Sequence, residues 1–187
     1  MKNWIGHILF LLCMGFAFHA RAVTYLTQEQ ALALAFERPA ETRRHELIFD
    51  DAHRKEIESR LDEKIEQRGV LAFTGCLKAG GGHGVVMFDA VIGKHEPIDY
   101  MMVLDGEGKV RFIEVLVYRE SQGGEVRRKN WRQQFADKSE KVPPDHEKNI
   151  TNISGATLSC RHITEGARKL LAIANVYADE LGVKKEK

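Results

Sequence analysis

Apolar and polar positions follow two rhythms along this chain, a helical one at both ends and a strand-like one between residues 70 and 120. Thr27 is a good helix N-cap, Gln30 three residues later completes a capping box, and Leu26 can staple against Ala31. That helix is expected to run to about Glu37 and stop before Pro39. A second helix over 52–67 carries Ile57, Leu61 and Ile65 on one narrow stripe of an otherwise charged cylinder. Such a stripe suits a peripheral helix, and Gly69 is its expected end. From there β-branched and aromatic runs broken by glycines predict strands over 70–77, 84–92, 98–104 and 110–119. Asp105-Gly-Glu-Gly108 reads as the turn of a hairpin. Residues 110–118 are apolar on both alternating sets, which predicts a central strand covered on both faces. A short helix over 126–135 follows, then a polar loop with Pro143-Pro144. In the last helix Ile163, Ala167, Leu170, Leu171, Ala174, Tyr177, Ala178 and Leu181 form one wide apolar stripe, with Gly182 as the stop. The expected fold is α+β, an antiparallel sheet packed against helices.

Composition narrows the class without fixing the chemistry. The chain has 187 residues, 28 Lys and Arg against 27 Asp and Glu, and a formal charge of +1. That length suits one domain, and the balanced charge lacks the excess of cations a nucleic-acid surface needs. Cys13, Cys76 and Cys160 form no C-x-x-C pair, which removes support for thioredoxin chemistry, c-type haem or a zinc ribbon. The histidines show no H-x-x-x-H spacing, so no metal site is expected.

The first 22 residues read as a secretory signal peptide. Lys2 is followed by an unbroken apolar run from Ile8 to Phe18 and by Ala20-Arg21-Ala22, a small-x-small cleavage site. Eleven apolar residues fall short of the roughly 20 that span a bilayer. Cleavage near Ala22 leaves residues 23–187 as an exported, periplasmic domain; an uncleaved N-terminus would instead tether it to the membrane. Without Lys2 and Arg21 the domain holds 26 basic and 27 acidic residues, a charge of −1. Outside the cytoplasm Cys76 and Cys160 could pair, and their positions in the sequence leave that open.

The stretch of greatest chemical interest is Ser154-Gly155-Ala156-Thr157, where a loop turns into the last helix. One reading is a helix start, with Ser154 as cap and small residues where the backbone passes close to something. The other is an anion site, because hydroxyls and unpaired N–H groups gather at the positive end of a helix. The four residues support both equally.

Ile153-Ser-Gly-Ala-Thr-Leu-Ser159 resembles the flavinylation motif of FMN-binding domain proteins. That family includes the periplasmic flavin subunits of sodium-translocating NADH:quinone reductase and of the Rnf complex. The resemblance implies that Thr157 carries FMN through a phosphoester, installed from FAD by a magnesium-dependent flavin transferase. Glu120-Ser121-Gln122-Gly123-Gly124, followed by Trp131 and by Phe135 to Lys138, is similar to the family's glycine loop, aromatic and phenylalanine with nearby lysine. It implies cofactor contacts from Glu120, Ser121 and Gly123, and from Trp131 a cover for an apolar ring face. The chain departs from the pattern at Thr151, where the family usually has an acid, and at Ser121, where it has threonine.

These readings converge on an exported electron-transfer flavoprotein or redox-complex subunit rather than a stand-alone enzyme. Its partners would be the transferase and a membrane or haem redox protein. The alternatives are a reductase or sensor with noncovalent FMN, and a secreted binding or structural module without flavin. Gly80-Gly-Gly-His-Gly84 lacks the Lys and Ser/Thr of a phosphate loop and reads as a turn with His83 at the surface. Arg127-Arg128-Lys129 reads as a solvated face, with contact to the FMN phosphate or to an acidic redox partner as the alternative.

Overall fold

The computed structural model describes residues 22–185. The signal-peptide reading and Cys13 therefore fall outside the described residues. In chain order the elements are β1 (Val23–Thr24), α1 (Gln28–Ala35), β2 (Arg43–Ile48), α2 (Asp51–Leu61), β3 (Gly69–Leu77) and β4 (Gly82–Ile92). They continue with β5 (Pro97–Asp105), β6 (Val110–Tyr118), α3 (Lys129–Arg132), α4 (Thr157–Val176) and α5 (Ala178–Leu181). The strands form one antiparallel sheet in the order β1-β6-β5-β4-β3-β2. The expected α+β architecture is the observed one. No helix among the described residues is long and apolar enough to cross a membrane.

Two apolar layers hold the sheet. On one face α2, α4 and α5 bring Ile57, Leu61, Ile163, Leu170 and Leu181 against Val85, Met87, Met102 and Val115. On the other, the short α1 lays Ala31, Leu32 and Ala35 over Phe73, Val86, Met101 and Val103. The Thr27 capping box that starts α1 is formed on both sides. Asp105 Oδ1 accepts from the N–H groups of Glu107 and Lys109 at 3.0 Å each, which closes the predicted β5–β6 hairpin. Strand β6 is covered on both faces, although it lies second from the edge with only β1 outside it.

β6 also carries a bulge with consequences for the site. Tyr100 pairs with Val115 and Asp99 with Val117, so Leu116 is the extra residue and the register shifts there. Val115 and Tyr118 both join the α4-side core, whereas strict alternation would have put them on opposite faces. The bulge therefore turns Tyr118 toward α4.

Several boundaries differ from the sequence reading. α2 ends at Leu61, because Asp62 adopts a left-handed conformation at φ 58°; Ile65 still packs in the core from the segment beyond. Gly69 opens β3 instead of ending α2. The expected helix over 126–135 is broken into 3₁₀ turns at Gly124–Arg127 and Gln133–Phe135 on either side of the four-residue α3. Strand β2 was not anticipated. Cys76 and Cys160 are free thiols. Cys76 pairs across the sheet with His83, whose ring bonds the Leu181 carbonyl at the far end of the helical layer, whereas Cys160 lies in the first turn of α4. A helix rising 1.5 Å per residue separates those ends by more than about 20 Å, well beyond disulfide reach.

Candidate functional site

The site is assembled where β6 runs out. Tyr118, re-aimed by the bulge, donates its hydroxyl hydrogen to the Gln122 carbonyl at 2.6 Å and lies 3.0 Å from Ser159 Oγ in the first turn of α4. Burial raises the phenol's pKa against the opposing Ser159 hydrogen bond, so it remains a donor at neutral pH. One buried side chain thus ties the 120–124 loop to the start of the last helix. Tyr118→Phe removes both contacts and leaves the buried Ser159 hydroxyl without its Tyr118 partner, an expected loss of about 1–3 kcal/mol in chemical denaturation; an unchanged midpoint would contradict this role.

Gly123 and Ala156 are where the two sequence motifs touch. Gly123 sits at φ +85°, and a Cβ there would lie 2.7 Å from Tyr118 Oη and 3.3 Å from Ala156 Cβ. Gly155, at φ +83°, has nothing within 4 Å of its would-be Cβ. Its glycine therefore serves the turn, and the space beside it is open. Ser154 and Thr157 are exposed, and Ala156 is buried. The N-cap of α4 is Ala156 with no side-chain cap, which corrects the reading of Ser154 as the capping residue.

Two cavities flank this turn. One, of about 450 Å³, is lined by Lys94, His95, Glu120, Ser121, Thr157 and Leu158 among others. The other, about 680 Å³, lies between the 121–125 loop, Arg127, Arg128, Ser154 and Gly155. Glu120, Ser121, Gly123, Ser154, Gly155, Ala156 and Thr157 are thereby brought together around one turn.

Glu120 has a second task. Its Oε1 accepts from the N–H groups of His95 at 2.5 Å and Glu96 at 2.9 Å, and Gly93 leaves room for it. Partial burial opposes the ionised form, but the backbone N–H groups of Glu96, His95 and Lys94 prevail and hold the pKa below the ordinary 4.5. A depressed folded-state pKa contributes stability above the unfolded value and loses it as pH falls through the folded one. Glu120→Gln should therefore be less stable than the parent at pH 7, with the gap closing as pH falls below 4.5. Thermal unfolding across that range checks it; a gap independent of pH would contradict the assignment.

Trp131 lies in the core, 3% exposed, with its ring edge-on to Phe135. Its indole N–H donates to the Thr151 carbonyl at 2.8 Å, and the Thr151 N–H donates to Gln134 Oε1 at 2.8 Å. In this conformation Trp131 acts on the site from behind, by fixing the segment that leads into Ser154. Tyr118 is the residue of the candidate site that sequence reasoning missed. The signal was present as an aromatic at a strand end, two residues before the glycine loop, but the bulge that turns it inward has no local signature.

The donor set suits a phosphate group. By helix geometry the first-turn N–H groups of α4 lack intrahelical partners, and no side chain caps them. The macrodipole favours an anion there, and Lys94 lines the same cavity. The open space at Gly155 and the glycine loop leave room for a larger group joined to that phosphate.

Fold and site together define a small α+β domain with an uncapped loop-to-helix turn beside a glycine loop. Residues 93–172 match the family model described as FMN-binding domain. That span contains β5, β6, the glycine loop, Trp131 and the Ser154–Thr157 turn, and the match supports a flavin-binding protein with FMN as cofactor. No curated protein matches the chain.

Proposed function

We propose that this protein is an exported flavoprotein that carries FMN through a phosphoester on Thr157 and passes electrons between membrane or periplasmic redox partners. The observation that carries this reading is the position of Thr157: an exposed hydroxyl residue at the first position of a 20-residue helix, lining a cavity shared with the Glu120–Gln122 loop. Attachment would join the Thr157 oxygen to the FMN phosphorus of FAD, with AMP leaving and the hydroxyl proton passing to base. FMN, once bound, supplies acceptance and release of electrons singly or in pairs. The chain's own part is to hold the phosphate charge against the first turn of α4, to pack the glycine loop against Ala156 through Gly123, and to keep Tyr118 donating between the two. A covalent tether suits an exported protein, since free FMN would be lost by diffusion. Electrons would come from a membrane quinol or a haem partner, because pyridine nucleotides are not expected outside the cytoplasm.

The test is the intact mass of protein exported from a host that has the flavin transferase. A gain of one FMN less one water supports the reading. Yellow protein that loses its colour on denaturation selects noncovalent FMN. Colourless, unmodified protein overturns the flavin reading altogether.

A further inference from the structure

The two edges of the sheet are finished differently. Along β6 the outward main-chain groups are taken up: Val110 exchanges hydrogen bonds with Asp137 and Lys138 at 2.8 Å each, Arg132 Nη1 donates to the Ile113 carbonyl at 2.7 Å, and the Tyr25 N–H donates to the Leu116 carbonyl at 2.8 Å. Nothing comparable covers β2. Its register with β3 runs without a shift from Arg43 against Thr74 to Ile48 against Gly69, and the next pair is closed by the Phe49 N–H donating to the Arg68 carbonyl at 2.9 Å. Hydrogen-bonded pairs recur at every second residue of an antiparallel ladder, so Leu47, His45 and Arg43 turn their main-chain groups toward β3, and Ile48, Glu46 and Arg44 turn theirs away. The Ile48 carbonyl accepts from the Tyr177 hydroxyl at 2.8 Å. Among the described residues, the N–H and C=O groups of Arg44 and Glu46 have no partner. Both side chains are more than half exposed on the face away from α4, where they pair with each other at 2.6 Å. An open edge of this kind accepts another strand unless something guards it. The six residues of β2 include no proline, no glycine and no bulge, and the two charges on its exposed face are of opposite sign.

We infer that β2 is a self-association edge, to which a second copy of this chain adds its own β2 antiparallel about a two-fold axis. A two-fold contact between edges brings the same strand against itself, so only the register is open. Registers that set Arg44 against Arg44, or Glu46 against Glu46, place like charges directly opposite, which is destabilising. A register that pairs Glu46 with Ile48 meets a carbonyl already held by Tyr177. Centring the axis on His45 instead sets Arg44 of each copy opposite Glu46 of the other. That register satisfies the open N–H and C=O groups of Arg44 and Glu46 in both copies at once, and it forms two unlike-charge pairs across the joint. The same four residues thus supply the main-chain bonds and select the register. β6 lies four strands away from β2, about 19 Å at the usual strand spacing, so the contact leaves the Ser154–Thr157 turn of each copy open. The inference does not depend on the flavin reading.

Sedimentation equilibrium across a concentration series tests it. The parent should pass from the mass of one chain to that of two as concentration rises. Arg44→Glu and Glu46→Arg each set like charges opposite in both pairs, and each should weaken self-association about tenfold or more. Mixed in equal amounts, these two variants present opposite charges at both pairs and should form the heterodimer that neither forms with itself. Pairing in the mixture also shows that both variants fold. The double variant Arg44→Glu/Glu46→Arg should regain the self-association of the parent. Glu46→Pro deletes an outward N–H without touching the ladder to β3 and should stay monomeric. A parent that remains monomeric at every concentration overturns the inference. So does self-association that the single charge variants or the proline leave unchanged, or a mixture of the two charge variants that fails to pair, since each of these places any contact between copies elsewhere than on β2 in this register.

Discussion

On the proposed phosphoester reading, Thr157→Ala is expected to abolish covalent flavin attachment completely while leaving the fold intact. The usual objection to such a test is that a helix-start residue also caps, so its loss confounds chemistry with stability. Here the roles are separate. Ala156 is the N-cap, and no hydrogen bond involves the Thr157 hydroxyl among the described residues. The side chain is exposed, and alanine is the better helix former, so stability should change by no more than about 0.5 kcal/mol. Intact mass should lose the FMN increment in full, and the denatured protein should lose all flavin fluorescence. Thr157→Ser, which keeps the hydroxyl, should retain part of the modification. Retention of the FMN mass by the alanine variant would move the attachment point elsewhere and sink the assignment.

What made the Ser154–Thr157 turn legible as the start of the last helix is that its neighbourhood is short-range: a hydroxyl, a glycine needed for positive φ, a small residue and an apolar helix within a few positions. The same holds for the Thr27 capping box, the Asp105 turn and the long stripe of α4. The features that escaped the sequence are settled at long range. Strand β2 is Arg-Arg-His-Glu-Leu-Ile, a polar edge in which only His45 and Leu47 face inward, and edges of this kind carry charges that hide the strand pattern. His45 is buried there because its Nε2 lies 3.0 Å from the Thr74 hydroxyl and its Nδ1 3.3 Å from Glu180, partners 29 and 135 residues away. Ile65 extended the α2 stripe in sequence but reaches the same core from beyond the left-handed Asp62. The bulge at Leu116 is invisible in a run where every residue from Val115 to Tyr118 is apolar or aromatic, yet it decides that Tyr118 meets Ser159. Trp131 was expected at the cofactor because aromatics near a glycine loop often cover rings; the space behind the turn, which the sequence does not display, is where it went.

Gly166→Val should destabilise the domain by about 3 kcal/mol or more and misplace the site in the fraction that folds. A glycine in the middle of a 20-residue helix costs roughly 1 kcal/mol relative to alanine, so something must require it. The requirement is the closest approach of α4 to the sheet: a Cβ at this position would lie 2.5 Å from Tyr100 Oη and 2.8 Å from Val91 Cγ1. Tyr100 cannot retreat, since it is fully buried and its hydroxyl donates to Asp89 Oδ2 at 3.0 Å, the oxygen that also pairs with Lys169 at 3.0 Å. Even Gly166→Ala should lose about 1–2 kcal/mol, because the clash outweighs the gain in helix propensity. Removing the opposing oxygen relieves most of it, so Gly166→Ala with Tyr100→Phe should be more stable than the sum of the single changes predicts. Additive single effects in denaturant would show that the contact is not where the strain lies. The consequence for function follows from rigidity. Thr157 and Gly166 lie on one unbroken helix, so a side chain that lifts α4 from the sheet also shifts its first turn relative to Gly123 and Tyr118. Soluble Gly166→Val protein is accordingly expected to take up FMN less completely than Gly166→Ala, in the order of their stability losses. Full loading of both would show that the turn holds its shape independently of the helix behind it.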